Sequence, residues 1–411
     1  MQGESPMHAN VWKYYVFHFF LNFQLWWPIW IIYLTQERGL TLGQVTLIDV
    51  PFWINIILLQ IPAAAIADRW GRKPTLLAAA TAFAVAVTFF GLATNFWLIL
   101  GSYMVWGVAF ALLSGTESAF IYDSLKAMGR ESEYPKIYGR GWAVATVGGL
   151  GGTLLGAPIA DATSLPFPII ASGALAFIAA IAAFTFKEPL IRDHEVPRPS
   201  YGKIISESFA IVRQQPAVRY GILYFGLITV GSIGPIFFFQ PFLVEHHVNL
   251  GEVGLWQTPM RIAAVVGALV AHRLITSAGE RRTFYGMALM IVASYALLAS
   301  WDSVYAQVAF SVMNAMVVLS QPTVTNFLNR RVPSEHRATV ISLTNLVRSA
   351  ILIPSAPLLG ALAESSLAAA FAAGGVIIAV LGLPLLVLWT PFLDREAEEE
   401  PELVETATGR D

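Results

Sequence analysis

Long apolar runs separated by short polar punctuation fill almost the whole chain. A helix of about 20 apolar residues is long enough to cross the hydrocarbon core of a bilayer. Twelve runs meet that length. The first six lie near positions 12–35, 42–66, 74–94, 97–122, 140–160 and 165–186. The second six lie near 218–243, 250–274, 283–300, 303–328, 338–363 and 367–392. The pattern predicts an all-α integral membrane protein with twelve transmembrane helices in two six-helix halves. Between the halves runs KEPLIRDHEVPRPSYGKIISESFAIVRQQPAV, rich in charge and proline. The expected organisation is a six-helix bundle over 1–186, a central linker over 187–217, a second bundle over 218–392 and an acidic, solvated tail over 393–411.

The two halves echo each other. A basic loop follows the second helix of each, ADRWGRK in the first and AHRLITSAGERR in the second. Another precedes the fifth helix of each, GRESEYPKIYGR and NRRVPSEHRAT. Internal similarity of this kind is a mark of transporter halves. Basic residues gather on the cytoplasmic side of membrane proteins. With the N-terminus placed in the cytoplasm, all but three of the 25 basic residues fall on that side. Arg38 lies opposite, and Arg261 and Arg348 fall within helices. The partition predicts an even number of spans with both termini cytoplasmic. The N-terminal MQGESPMHANVWKYY has no basic leader and no small-residue cleavage site, so it reads as a short cytoplasmic lead rather than a signal peptide.

Composition narrows the classes of function. The chain is 56% hydrophobic and 13% charged, against about 25% charged in soluble domains. It has no cysteine, so neither a disulfide framework nor a thiolate site exists. No Gly-x-Ser-x-Gly elbow, P-loop or His-Glu-x-x-His pattern occurs. An enzyme and an ATP-driven pump are therefore not expected, nor is any cofactor or metal. The net charge of -2 gives no sign of nucleic-acid binding.

The loop AAIADRWGRKPTL, from Ala64 to Leu76, resembles the signature joining the second and third helices of the major facilitator superfamily. The matching positions are Asp68, Arg69, Gly71, Arg72 and Lys73, with Ala64 where the family usually has glycine. Gly71 allows a tight turn with positive φ. Arg72 and Lys73 anchor the loop at the basic face. Asp68, at the end of its helix, can accept hydrogen bonds from a neighbouring helix N-terminus. The resemblance implies that Arg72 pairs with an acid at the end of helix four, where Asp123 stands. It also implies that this network latches the halves in an outward-open state. SGTESAFIYDSLK, from Ser114 to Lys126, is similar to a branch of bacterial permeases in the same superfamily. The resemblance implies a monomer in the bacterial inner membrane.

A charge at mid-bilayer costs about 2.5–3.5 kcal/mol on insertion scales. Four such residues stand out: Asp49, Glu117, Arg261 and Arg348. Arg261 follows Gln257 by one turn, and Arg348 follows Asn345 by three residues. Each helix thus presents an amide with a guanidinium, a pairing suited to a carboxylate or phosphate on a solute. The competing reading is internal pairing with Glu117 or Asp49. A carboxylate in apolar surroundings can carry a proton. Glu117 is the first candidate for proton coupling and Asp49 the second.

Helix one puts His18, Asn22 and Trp26 on one face. Asn22 and Trp26 are candidates to line a cavity, although aromatics at helical spacing are more often packing. A lone His18 reads as structural. In helix seven, Tyr224 is a further candidate substrate contact, beside Thr229, Ser232 and Gln240. Helix five is rich in glycine, from Gly148 to Gly156, which permits close helix approach. The expected function is secondary transport of a small organic solute by alternating access, coupled to protons. Efflux of hydrophobic compounds is one alternative, and a transport-inactive sensor or assembly partner is another.

Overall fold

The structure is a computed structural model that describes residues 7–189, 201–333 and 336–393. The acidic tail from 394 to 411 and residues 190–200 of the charged linker lie outside the described residues. By contacts the chain forms two compact units, Met1–Glu195 with Leu243–Thr258, and Val196–Phe242 with Pro259–Asp411. Among the described residues, eleven helices are long and apolar enough to cross a membrane. The first predicted span is not among them because it is interrupted. With it, the helices make the twelve expected.

In the first unit, α1 (His8–Asn22) ends early, at Phe23. The backbone resumes as a single turn at Trp30–Ile32 and a π turn at Tyr33–Glu37. Pro28 lies in the gap and cannot donate the hydrogen bond that a continuous helix needs. α2 (Leu42–Trp70) starts on a capping box between Thr41 and Gln44. α3 (Arg72–Leu92) follows after Gly71 alone. The predicted fourth span is two helices, α4 (Phe96–Leu113) and α5 (Thr116–Lys126). They part at Gly115, whose φ of +78° is unfavourable for any residue with a Cβ. α6 (Tyr134–Ala162) and α7 (Pro166–Phe184) complete the set.

Small residues hold this unit together. α3 and α7 meet through Ala79, Ala80, Ala84, Ala176, Ala179 and Ala183, all buried. A Cβ on Gly173 would stand 2.6 Å from the Thr88 backbone nitrogen. α6 packs its glycines onto the interrupted part of the first span. A Cβ on Gly152 would lie 2.6 Å from the Gln24 carbonyl oxygen, and one on Gly156 1.9 Å from that of Leu25. Unwound backbone at membrane depth is tolerated only where protein buries it or a cavity receives it. The glycine stripe supplies that cover. The 3-10 turn Leu250–Glu252 also packs on α6, and a Cβ on Gly254 would sit 2.2 Å from the Thr153 carbonyl oxygen. This approach explains why Leu243–Thr258 clusters with the first unit, where the sequence places it in the second half.

In the second unit, α8 (Tyr201–Gln214) is a helix in what the sequence reads as linker. It packs on α9 (Pro216–Ile228) and α13, the latter spanning Arg337–Ser365. After α9 the chain tightens to a 3-10 turn at Thr229–Ser232 and loosens to a π turn at Gly234–Phe238, before α10 (Phe239–Glu245). Pro235 removes one backbone donor there, as a bend in this helix requires. α11 (Val253–Ser300) turns at Gly279, φ +79°. α12 (Val308–Arg331), α13 and α14 (Leu367–Ile377) follow. The core holds Tyr224, Phe225, Phe284, Phe327 and Trp389, with Phe284 stacked on Trp389 at 4.8 Å. Large apolar side chains such as Leu58, Leu92, Ile181, Leu269 and Val380 stay exposed, as lipid-facing surfaces do.

Candidate functional site

The loop after α2 builds a charge network. Gly71 has φ +102° and ψ 161°, a region essentially reserved for glycine. The turn brings Arg72 Nη1 to 2.7 Å from Asp68 Oδ1 and Arg72 Nε to 3.5 Å from Asp123 Oδ2. Asp68 accepts this contact from the Arg72 side chain rather than from a helix N-terminus. Glu188 takes that second role, accepting the backbone N–H groups of Arg72 and Lys73 at 2.7 Å each. A carboxylate at a helix N-terminus is favoured by the helix dipole. Its position also explains Gly71 a second time, since a Cβ there would stand 2.9 Å from Glu188 Oε1. The Lys73 ammonium lies 5.5 Å from the Phe184 ring, and Arg69 is exposed. Asn10 closes the same end of the unit. Its Nδ2 donates to Ser124 Oγ at 3.0 Å and to the Lys187 carbonyl at 2.9 Å, and its Oδ1 accepts from Lys187 N at 2.9 Å. Sequence reasoning missed both Glu188 and Asn10, because contacts this distant along the chain leave no local pattern.

Glu117 lies in the first turn of α5, just past the break at Gly115. Its Oε2 stands 3.5 Å from His18 Nε2 of α1. His18 is buried, with the Tyr14 ring at 4.3 Å and the Trp142 ring at 6.2 Å. Asn22 donates to the His18 carbonyl at 2.8 Å and remains half-buried. Asp49 is apart from this pair. Its Oδ2 accepts from Trp53 Nε1 one turn along α2, at 2.5 Å. Trp26 is buried against Trp106 at 4.9 Å, and its Nε1 donates to Gln24 Oε1 at 2.5 Å. The aromatic stripe of the first span is therefore packing around Trp26.

In the second unit, Arg348 of α13 donates from Nε to Thr229 Oγ1 at 3.1 Å. Thr229 opens the 3-10 turn that interrupts the seventh span. Arg261 is half-buried on α11, where Asn314 donates to the adjoining Met260 carbonyl at 3.1 Å. Asn345 is exposed, one turn from Arg348. Gln257 is buried in the first unit, while Arg261 belongs to the second. Tyr224 is fully buried and donates its hydroxyl to the Phe284 carbonyl at 2.5 Å. Its polar atom is committed to packing, which corrects its reading as a substrate contact.

The second unit repeats the loop geometry with the charges exchanged. Gly279 has φ +79° and ψ 163°, close to Gly71. The next residue is Glu280 where the first unit has Arg72. Arg331, ending α12, holds Glu280 with 2.9 Å and 3.3 Å hydrogen bonds, where the first unit has Asp123. Aligning GRK with GERR in the sequence is enough to show the exchange.

Apolar helices that cover a membrane span, charged side chains inside them and the same turn repeated in both halves define a polytopic membrane protein built from two related halves. The chain belongs to the Major Facilitator Superfamily, whose family model matches residues 15–355. No curated protein matches it. Among solved structures, it is similar to a mutant of the nucleoside transporter NupG, with TM-score 0.78 and 12% identity over 94% of this chain and 100% of that one. It is also similar to a bacterial homologue of the human lysosomal transporter Spinster, captured inward-facing and unoccupied, with TM-score 0.73 and 17% identity over 96% and 99%. The POT family transporter PepTSo follows with TM-score 0.66 and 11% identity over 94% and 99%. At these identities the likeness is one of fold.

Proposed function

We propose that the protein is a proton-coupled secondary transporter of a small organic solute, with Glu117 as the group that takes up the coupling proton. The observation that carries this reading is a carboxylate inside the helical bundle, 3.5 Å from a buried imidazole, at a break in the fourth span. A side chain of this kind is costly in a membrane and marks ion pathways. Arg348, fixed on Thr229 at the distorted part of the seventh span, is the proposed contact for an anionic group of the solute, with Asn345 and Arg261 as further candidates. The nucleosides named for the NupG neighbour join organic anions as the solute classes to test. The buried Trp26 weakens the efflux reading, since an aromatic committed to packing cannot line a cavity. The distribution of basic residues supports both termini on the cytoplasmic side of a plasma membrane, and the proposed form is a monomer. In that frame Asp68, Arg72, Asp123 and Glu188 form a conformational latch at the cytoplasmic face.

The test is thermal stability of the purified protein against nucleosides, organic anions, sugars, amino acids and lipophilic cations. A ligand at a hundred times its Kd adds about 2.7 kcal/mol. The expected result is that an anionic compound raises the melting temperature of the wild type and not of Arg348→Ala. Stabilisation by lipophilic cations alone, equal in both proteins, would contradict the anionic reading.

A further inference from the structure

Among the described residues, neither ring nitrogen of His18 has a hydrogen-bond partner, although the side chain is only 2% exposed. The Tyr14 hydroxyl, on the same helix and against the same ring, also lacks one. Orphaned buried polar atoms are rare in folded proteins and each is costly. The gap from His18 Nε2 to Glu117 Oε2 is 3.5 Å, slightly beyond a hydrogen bond and within reach of a small side-chain rotation. The titratable groups around the pair are Tyr14 and Tyr15 on α1 and Tyr134 and Tyr138 on α6. Among the described residues, no lysine or arginine forms an ion pair with Glu117, so its partner of opposite charge is His18 itself.

From this geometry we infer that His18 and Glu117 are one proton-binding unit, with His18 a positioning partner that shares the proton between Nε2 and Oε2. With one proton in the pair, it bridges the two atoms and satisfies both. Without that shared proton, Glu117 is an anion and the neutral imidazole, with its remaining proton on Nδ1, turns the lone pair of Nε2 towards it. That anion has an alternative berth close by. It sits in the first turn of α5, whose N-cap, Gly115, offers no side-chain partner to the free N–H groups there. Loss of the proton therefore favours a swing of Glu117 from α1 towards the N-terminus of its own helix. The break at Gly115 lets α5 turn without dragging α4. Proton release would in this way loosen the contact between the first and fourth spans. The inference rests on the proton-coupled reading above and adds the second residue of its site.

The experiment uses full-length protein in nanodiscs with 15N-labelled histidine. His18→Asn identifies the His18 signal among the seven histidines. Its titration is followed from about pH 3 to 9, a window that brackets the usual change of histidine charge between about pH 5 and 8. The expected result is that the His18 midpoint differs by about one pH unit or more between wild type and Glu117→Gln, as expected for groups in direct electrostatic contact. A smaller difference between the two midpoints would overturn the pair. Should Glu117→Gln lose its helical fold by circular dichroism, His18→Gln carries the reciprocal test. The infrared band of the protonated Glu117 carboxyl must then change its midpoint by a similar amount, and an unchanged midpoint overturns the pair equally. Neither readout involves a solute. Failure here removes the pair and leaves transport standing, while failure of solute-driven proton movement removes coupling and leaves the pair.

Discussion

Glu188 shows what a single side chain contributes at the basic-loop end of the first unit. It satisfies two amides at the start of α3 that would otherwise face the loop without partners. Glu188→Ala removes two charge-assisted hydrogen bonds, and the expected loss of stability is about 1–3 kcal/mol. Thermal melting in detergent checks it, and a melting temperature equal to wild type would deny Glu188 its capping role. The residues of the loop motif were legible in the sequence because their spacing is local. Arg72 and Asp68 are neighbours across the Gly71 turn, and Asp123 follows from the family pattern. Glu188 and Asn10 were not legible, because their partners lie more than a hundred positions away. Trp26 and Tyr224 show the opposite limit. Periodicity put them on the right helices, but a face of a helix does not reveal whether it meets a cavity or a neighbour's ring. No local pattern in the sequence ties His18 to Glu117, whose contact joins the first and fourth spans.

At the scale of elements, the twelve apolar runs carry the number and order of spans, and Pro235 marks the bend in the seventh, but the break in the first is not visible in hydropathy. A run such as LNFQLWWPIWII reads as one helix by hydropathy, yet Phe23 to Ile29 is unwound against the α6 glycines. The signals were Pro28 and the glycine stripe, and they acquire meaning only when the two are packed together. The packing yields a paired prediction. Gly156→Ala pushes a methyl group into the Leu25 carbonyl, and overpacking of this kind costs about 1–3 kcal/mol. Gly139→Ala, on the same helix with nothing within 4 Å of its Cβ, is expected to be neutral or to stabilise by up to about 1 kcal/mol. Melting curves of the two variants measured together separate the packing effect from helix propensity. Equal changes would show that the stripe is not a contact surface. The helix α8 was missed for another reason, since charge and proline in the linker masked the apolar positions of Ile204 to Val212.

The two units share a turn but not a charge pattern. Arg72 with Asp123 in the first becomes Glu280 with Arg331 in the second, on glycines of nearly the same conformation. Each pair ties the start of a third helix to the end of a fourth. The exchange predicts that Glu280→Arg and Arg331→Glu each destabilise the protein, and that the double reversal recovers part of the loss. A coupling of about 0.5–3 kcal/mol between the two changes is expected from a double-mutant cycle. Recovery is incomplete because Arg331 also lies 3.9 Å from the Phe327 ring, a contact glutamate cannot make. Simple additivity of the two changes would show that the pair does not act as one element.

The central claim is that solute movement through this protein is coupled to a proton carried at Glu117. The direct measurement is internal pH in proteoliposomes loaded with a pH-sensitive dye, after external addition of the compound that stabilises the protein in the thermal screen. The account predicts a solute-dependent pH change in wild-type vesicles and none in Glu117→Gln vesicles, although Glu117→Gln still exchanges labelled solute for unlabelled. Solute uptake by the wild type with no pH change, or an undiminished pH change in Glu117→Gln, would contradict it.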